Sequence, residues 1–186
     1  MKARRTSPKT NFAGNLLLAH PAMKDPNFGR TVVLMSAHDA DGALGVVINR
    51  PLRRRLDEVS PDFALSPLAK VPLYAGGPVE TGKLILAAWR WRAEAEEFEL
   101  QFGLDPQRAT AIVAEPGYTL RGFLGYAGWG KGQLENEMKQ NTWFAVGPVD
   151  YNLGAEDGPA LWRLILGSLD PELKLLADEP EDPSKN

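Results

Sequence analysis

Apolar residues in this chain fall mostly in short runs closed by proline, glycine or aspartate, a pattern of strands and turns. Leu16–Ala19 is a short buried strand stopped by His20-Pro21, because the residue before proline leaves regular structure. Thr31–Ser36 and Ala43–Ile48 flank Asp39-Ala40-Asp41-Gly42, which predicts a hairpin with a loop longer than the two-residue minimum. Both arms are continuously apolar, so both faces should be covered. Val71–Ala75 runs into the turn Gly76-Gly77-Pro78, and Leu84–Trp89 is a further buried strand. Phe98–Phe102 alternates strictly and should keep one face wet. Asp105-Pro106 reads as a turn and Thr110–Val113 as a short apolar run. Residues 117–128 should continue into the sheet, and Trp143–Val146 is a last strand.

Two segments carry helical signals. Gly128-Trp129-Gly130-Lys131-Gly132 leads into a polar helix running to about Asn141, with only Leu134 and Met138 as an apolar pair. Asp157 and Pro159 open a second helix through Leu161, Trp162, Leu164, Ile165 and Leu166, stopped at Gly167. Strands outnumber helices and do not alternate with them, which predicts an α+β fold. The 186 residues suit one domain, placed at 12–177. A basic N-terminus (1–11) and an acidic, proline-broken tail (178–186) are expected to be disordered.

Composition narrows the function classes. The net charge of −3 gives no overall field toward nucleic acid or anionic lipid, so direct nucleic-acid binding is not expected. No apolar run approaches the roughly 18 residues that would span a bilayer. The sequence contains no cysteine, which removes thiolate nucleophiles and thiolate metal sites and fits a reducing cytoplasm. His20 and His38, even with Asp25 and Asp41, lack a recognised metal-ligand spacing. No nucleophile elbow, P-loop or dinucleotide fingerprint occurs, and no cofactor is expected.

The candidate site residues are Asn49, Gly76, Gly77, Pro78, Trp129, Gln133 and Glu135. The glycines in these segments argue for main chain passing close to another backbone or a ligand. A groove between the Gly76 turn and the Trp129 helix start is expected to accept a protein, peptide or small ligand. For each residue a structural role competes with this. Gly76-Gly77 can be a sharp turn, Asn49 a strand-end cap, and Gln133, Glu135 and Glu137 ordinary residues of an exposed helix. The rival reading is a hydrolase or transferase that uses Glu135 or Glu137 as base, with Asn49 as a polar contact. Lys131 with the Gly128–Gly132 turn could instead face an anion. Arg53-Arg54-Arg55 reads as solvated surface, and Trp91 as the best candidate for an exposed interaction residue.

Four ordered segments carry a resemblance. They are Asp25-Pro26-Asn27-Phe28 with Arg30, Gly42–Pro51, Gly76-Gly77-Pro78-Val79, and Gly125-Tyr126-Ala127-Gly128-Trp129 with Gly132-Gln133-Leu134-Glu135. The chain resembles the YqgE/AlgH family of bacterial proteins from roughly Gly14 to Trp162. That resemblance implies a bent, bifurcated mixed sheet forming a partial barrel with helices packed outside. It implies no established reaction. The family's frequent label, transcriptional regulator, has no recognised DNA-binding motif behind it.

Overall fold

The computed structural model describes residues 11–147, 153 and 157–178. The expected disordered segments therefore lie outside the described residues, apart from Asn11 and Asp178. Nine strands and five α-helices are described: β1 (Leu16–Ala19), β2 (Val32–Asp39), β3 (Gly42–Val47), β4 (Pro51–Arg55), α1 (Leu56–Val59), β5 (Pro72–Ala75), β6 (Val79–Arg92), β7 (Glu97–Phe102), α2 (Pro106–Val113), β8 (Thr119–Gly130), α3 (Gln133–Lys139), β9 (Trp143–Val146), α4 (Gly158–Leu169) and α5 (Pro171–Asp178). They form an α+β fold around one mixed sheet of order β4-β5-β8-β3-β2-β1-β9, with β6 also on β8 and β7 on β6.

The sheet curls into a half-barrel because β8 serves three neighbours. Its first half pairs antiparallel with β6, from Trp89↔Thr119 to Leu84↔Leu124, and parallel with β5, from Leu73↔Gly122 to Ala75↔Leu124. Its second half pairs with β3, from Gly45↔Ala127 to Gly42↔Gly130. Gly125, at φ 75°, stands at the division. The β5–β6 turn crosses there: Gly76 N donates to Leu124 O (2.9 Å) and Gly76 O accepts from Val47 N (2.8 Å). A Cβ on Gly76 would lie 2.2 Å from the Gly125 carbonyl oxygen, and one on Gly77 2.2 Å from that of Tyr126. The main-chain crowding inferred from these glycines is backbone against backbone.

Alternate residues of the central strands feed opposite apolar layers, which explains their unbroken apolar runs. Leu16, Leu18, Val32, Leu34, Val46 and Ile48 pack against Leu161, Trp162, Ile165 and Leu166 of α4. Leu17, Ala19, Val33, Met35 and Val47 point the other way, toward Trp129, Trp143 and Leu134 of α3. A smaller cluster joins Leu56, Leu68, Val71, Leu73, Leu86 and Ala109 beneath α2.

Several elements differ from the sequence expectation. The run after Asp105-Pro106 is helix α2. Asp105 caps it by accepting from Arg108 N (2.8 Å), and the three-residue step from Ala109 to Ile112 puts both on the buried face. The arginine run is strand β4 at the end of the sheet. Strand β6 extends to Arg92, where Arg90↔Glu99 and Arg92↔Glu97 oppose unlike charges and Trp91 pairs with Phe98, only partly exposed. Helix α4 continues past Gly167, over which Lys174 of α5 packs.

Candidate functional site

The expected groove joined the Gly76 turn to a helix start at Trp129, and the second part of that picture needs correction. Trp129 is a residue of strand β8, and helix α3 begins four residues later at Gln133, after Gly132 at φ 71°. The indole is 6% exposed and faces the apolar layer under α3. It meets Trp143 edge-on at 5.9 Å, with Phe28 against both rings. One carboxylate binds this aromatic cluster to the helix. Glu137 Oε2 accepts from Trp129 Nε1 (2.9 Å) and Trp143 Nε1 (2.8 Å), while Oε1 accepts from Gln133 Nε2 (2.9 Å). Gln133 Oε1 in turn accepts from Gly130 N (3.0 Å), closing the strand-to-helix turn.

Glu135 takes a different partner. Buried His38 at the end of β2 accepts from Phe12 N at Nδ1 (3.1 Å), so its Nε2 carries the proton donated to Glu135 Oε1 (3.0 Å). The Glu135 carboxyl is held below its ordinary value, first by its own backbone N–H and then by His38, against the opposing effect of burial. A general base working near neutral pH needs the opposite shift. Both candidate carboxylates thus act as ties between α3 and the sheet.

Asn49 lies elsewhere, at the end of β3 beside α4. It is 1% exposed; Oδ1 accepts from Val32 N (2.9 Å), and both Nδ2 hydrogens go to the carbonyls of Arg30 (3.0 Å) and Gly158 (2.8 Å). It staples β3 to the first turn of α4 and to the loop before β2. Gly76, Gly77 and Pro78 sit at the fork of β8. The structure therefore brings Trp129, Gln133 and Glu135 together, and holds Asn49 at the end of β3 and the Gly76 turn at the crossing.

Sequence reasoning missed a second polar cluster, centred on Arg121. In β8 this arginine points inward and is 3% exposed. Nη1 donates to Ile48 O (2.9 Å) and Nη2 to Leu153 O (2.7 Å), and the guanidinium lies 4.2 Å from the Tyr74 ring centroid and 5.3 Å from that of Trp89. Burial lowers its pKa, with Tyr74 and Asp157 acting in the other direction. The Tyr74 hydroxyl donates to Asp157 Oδ1 (3.2 Å). The available signal was a charge flanked by Leu120, Gly122 and Phe123 in an otherwise apolar strand, where only a paired interior group is tolerated.

Beside this cluster lies an open recess of about 310 Å³ lined by Pro51, Arg53, Arg54, Arg55, Pro72, Leu73, Tyr74 and Asp157. Neither Gly76 nor Trp129 lines it, although β5 runs directly from its lining into the Gly76 turn. Among the described residues no group of three or more His, Asp or Glu is placed to hold a metal ion.

A family model described as AlgH-like matches residues 16–174. The chain belongs to the AlgH-like family. It is 36% identical over 188 residues to a UPF0301 protein of Streptomyces coelicolor, covering 95% of this chain and 96% of that one. It is 35% identical to a UPF0301 protein of Streptomyces avermitilis, with the same coverage. The solution structure of AlgH from Pseudomonas aeruginosa, 30% identical, superposes with a TM-score of 0.65 over 96% of this chain and 99% of that one. A Corynebacterium diphtheriae crystal structure, 23% identical, shares the fold with a TM-score of 0.72 over 95% of each chain. The AlgH-like fold thus extends over essentially every element described above.

Proposed function

We propose that this AlgH-like protein is a non-catalytic binding or regulatory module that takes a small ligand group in the recess along β4 and β5. The observation that carries the reading is the recess itself: an open hollow lined by Pro51, Pro72, Leu73 and Tyr74 together with the charged residues Arg53, Arg54, Arg55 and Asp157. Its volume is at the low end of the range for small-molecule sites. Support also comes from the α3 carboxylates, whose hydrogen bonds hold the fold together and leave Glu137 no role as a free base. The site moves from the Trp129 end of the molecule to the strand that leads into Gly76.

The cysteine-free composition suits a reducing cytoplasm, and no described helix is long and apolar enough to cross a membrane. Among the described residues, direct regulation at DNA would draw on the Arg53–Arg55 run. Three arginines fall short of the roughly 6–10 phosphate contacts of a strongly salt-dependent DNA binder.

The test is amide chemical-shift mapping of the full chain during titration with phenol, a small neutral aromatic probe. Shifts confined to residues 52–55, 73, 74 and 157 support the site. Shifts centred on Trp129 and α3 instead would return the site to that end and overturn the proposal.

A further inference from the structure

We infer that the recess recognises an anion: a ligand carrying one carboxylate or phosphate beside a small apolar body, with Arg53 as its charge partner. This rests on the reading of the recess as the ligand site and adds the chemistry of what enters it.

The lining carries three arginines and one carboxylate, and these charges are not equally engaged. Asp157 already accepts the Tyr74 hydroxyl. Arg55 Nε lies 3.4 Å from Asp57 and 3.1 Å from Glu58, and Arg54 Nη2 donates to Glu58 O (3.0 Å). Arg53 alone of the three has no hydrogen bond or ion pair among the described residues. A guanidinium next to apolar side chains interacts more strongly with an anion than one in open water, and its planar fork fits a carboxylate or phosphate edge.

The backbone supports the same assignment. Strand β4 pairs with β5 at Pro51↔Tyr74 and Arg55↔Pro72 only, so four steps along β4 match two along β5 and the register breaks between them. Arg53 stands inside that break with φ 54°, a left-handed conformation uncommon for a residue with a side chain. Bulges of this kind re-aim a side chain and are over-represented beside binding sites, at sheet edges above all. Strand β4 is such an edge. The break places Arg53 in the lining of the hollow instead of in a regular ladder. Glycine would satisfy the backbone there at lower conformational cost, so the geometry itself does not call for arginine.

The experiment titrates the full chain with phenyl phosphate, benzoate and phenol, followed by calorimetry and amide shifts. The expected result is that at least one anionic probe binds about tenfold or more tightly than phenol, at the recess. Phosphate and carboxylate ligands are told apart by which of the two anions binds better. The Arg53→Gly variant should lose that preference, binding both anions no more tightly than it binds phenol. Because glycine suits φ 54°, its thermal midpoint should not fall, so lost binding cannot be ascribed to unfolding. Arg92→Gln, on the far β6–β7 hairpin, should bind all three probes as the parent does. Equal binding of phenol and the anions at the recess, or an anion preference that survives Arg53→Gly, overturns the anion inference and leaves the site reading standing. Binding of none of the three probes at the recess overturns both. Inorganic phosphate binding as tightly as phenyl phosphate overturns the apolar half of the assignment.

Discussion

Glu137 offers the sharpest test of whether the α3 carboxylates are structural. Its Oε2 accepts both indole N–H groups at 2.9 and 2.8 Å, and the two tryptophans are 6% and 3% exposed. Replacing Glu137 with alanine leaves two buried donors without partners, each at a cost of about 1–3 kcal/mol. Loss of the Gln133 bond at the exposed rim adds little. The sum, about 2–6 kcal/mol, is a large share of the roughly 5–15 kcal/mol that holds a domain of this size folded. Glu137→Gln keeps one acceptor oxygen but turns an amide toward donors, so about 1–2 kcal/mol is expected. Urea unfolding followed by far-UV circular dichroism and tryptophan emission reads the effect, with an unchanged dependence on urea confirming that the folded state is the same. An alanine variant within about 0.5 kcal/mol of the parent would show that the indoles find other partners, and the structural assignment of this carboxylate would fall.

Gly76→Ala puts a methyl 2.2 Å from the Gly125 carbonyl oxygen, so the variant should lose about 3 kcal/mol or more, or fail to accumulate; a normal thermal midpoint would refute the crossing geometry. Arg121→Met fills similar space but strips two buried carbonyls of their donor, and should cost about 2–4 kcal/mol in urea unfolding. In acid, Glu135 and Glu99 are both held below the ordinary 4.5, Glu99 first by the Tyr118 hydroxyl and then by Arg90. A carboxyl depressed in the folded state stabilises above its unfolded value and loses that contribution as pH falls through the folded one. The urea midpoint should therefore drop below about pH 4.5, less steeply in Glu99→Gln and Glu135→Gln, and parallel profiles for parent and variants would contradict the assignment.

The hairpin of β2 and β3 was legible because two unbroken apolar arms around Asp39–Gly42 have no other way to bury both faces. The glycines of β8 and of the β5–β6 turn announced close main-chain approach and were read as two sides of one groove, but their sequence could not say that the turn crosses β8 at Gly125, backbone on backbone. Helix α2 was missed because a four-residue apolar window satisfies a strand as well as a helix, and its cap Asp105 precedes a proline that also suits a turn. Helix α5 escaped because its eight residues make only about two turns and follow the stop read at Gly167, too short a segment for a helical period to stand out. The arginine run was legible as surface. Its role as a frayed edge above a hollow depended on β5, seventeen residues downstream of Arg55 at its first residue, arriving beside it. Arg121 was visible as an anomaly in β8, while its partners Ile48 and Leu153 lie 73 residues before it and 32 residues after it.

Because β8 touches β3, β5 and β6, the sheet is locked by a strand that ends only at Gly130. During synthesis, every strand from β1 to β7 leaves the ribosome before its keystone exists. The hairpin of β2 and β3 can close by itself, but β5 and the middle of β6 must wait with their apolar faces uncovered. Folding of the nascent chain should thus be late and abrupt, and chains cut before residue 130 should be substrates for chaperones and proteases instead of smaller working domains.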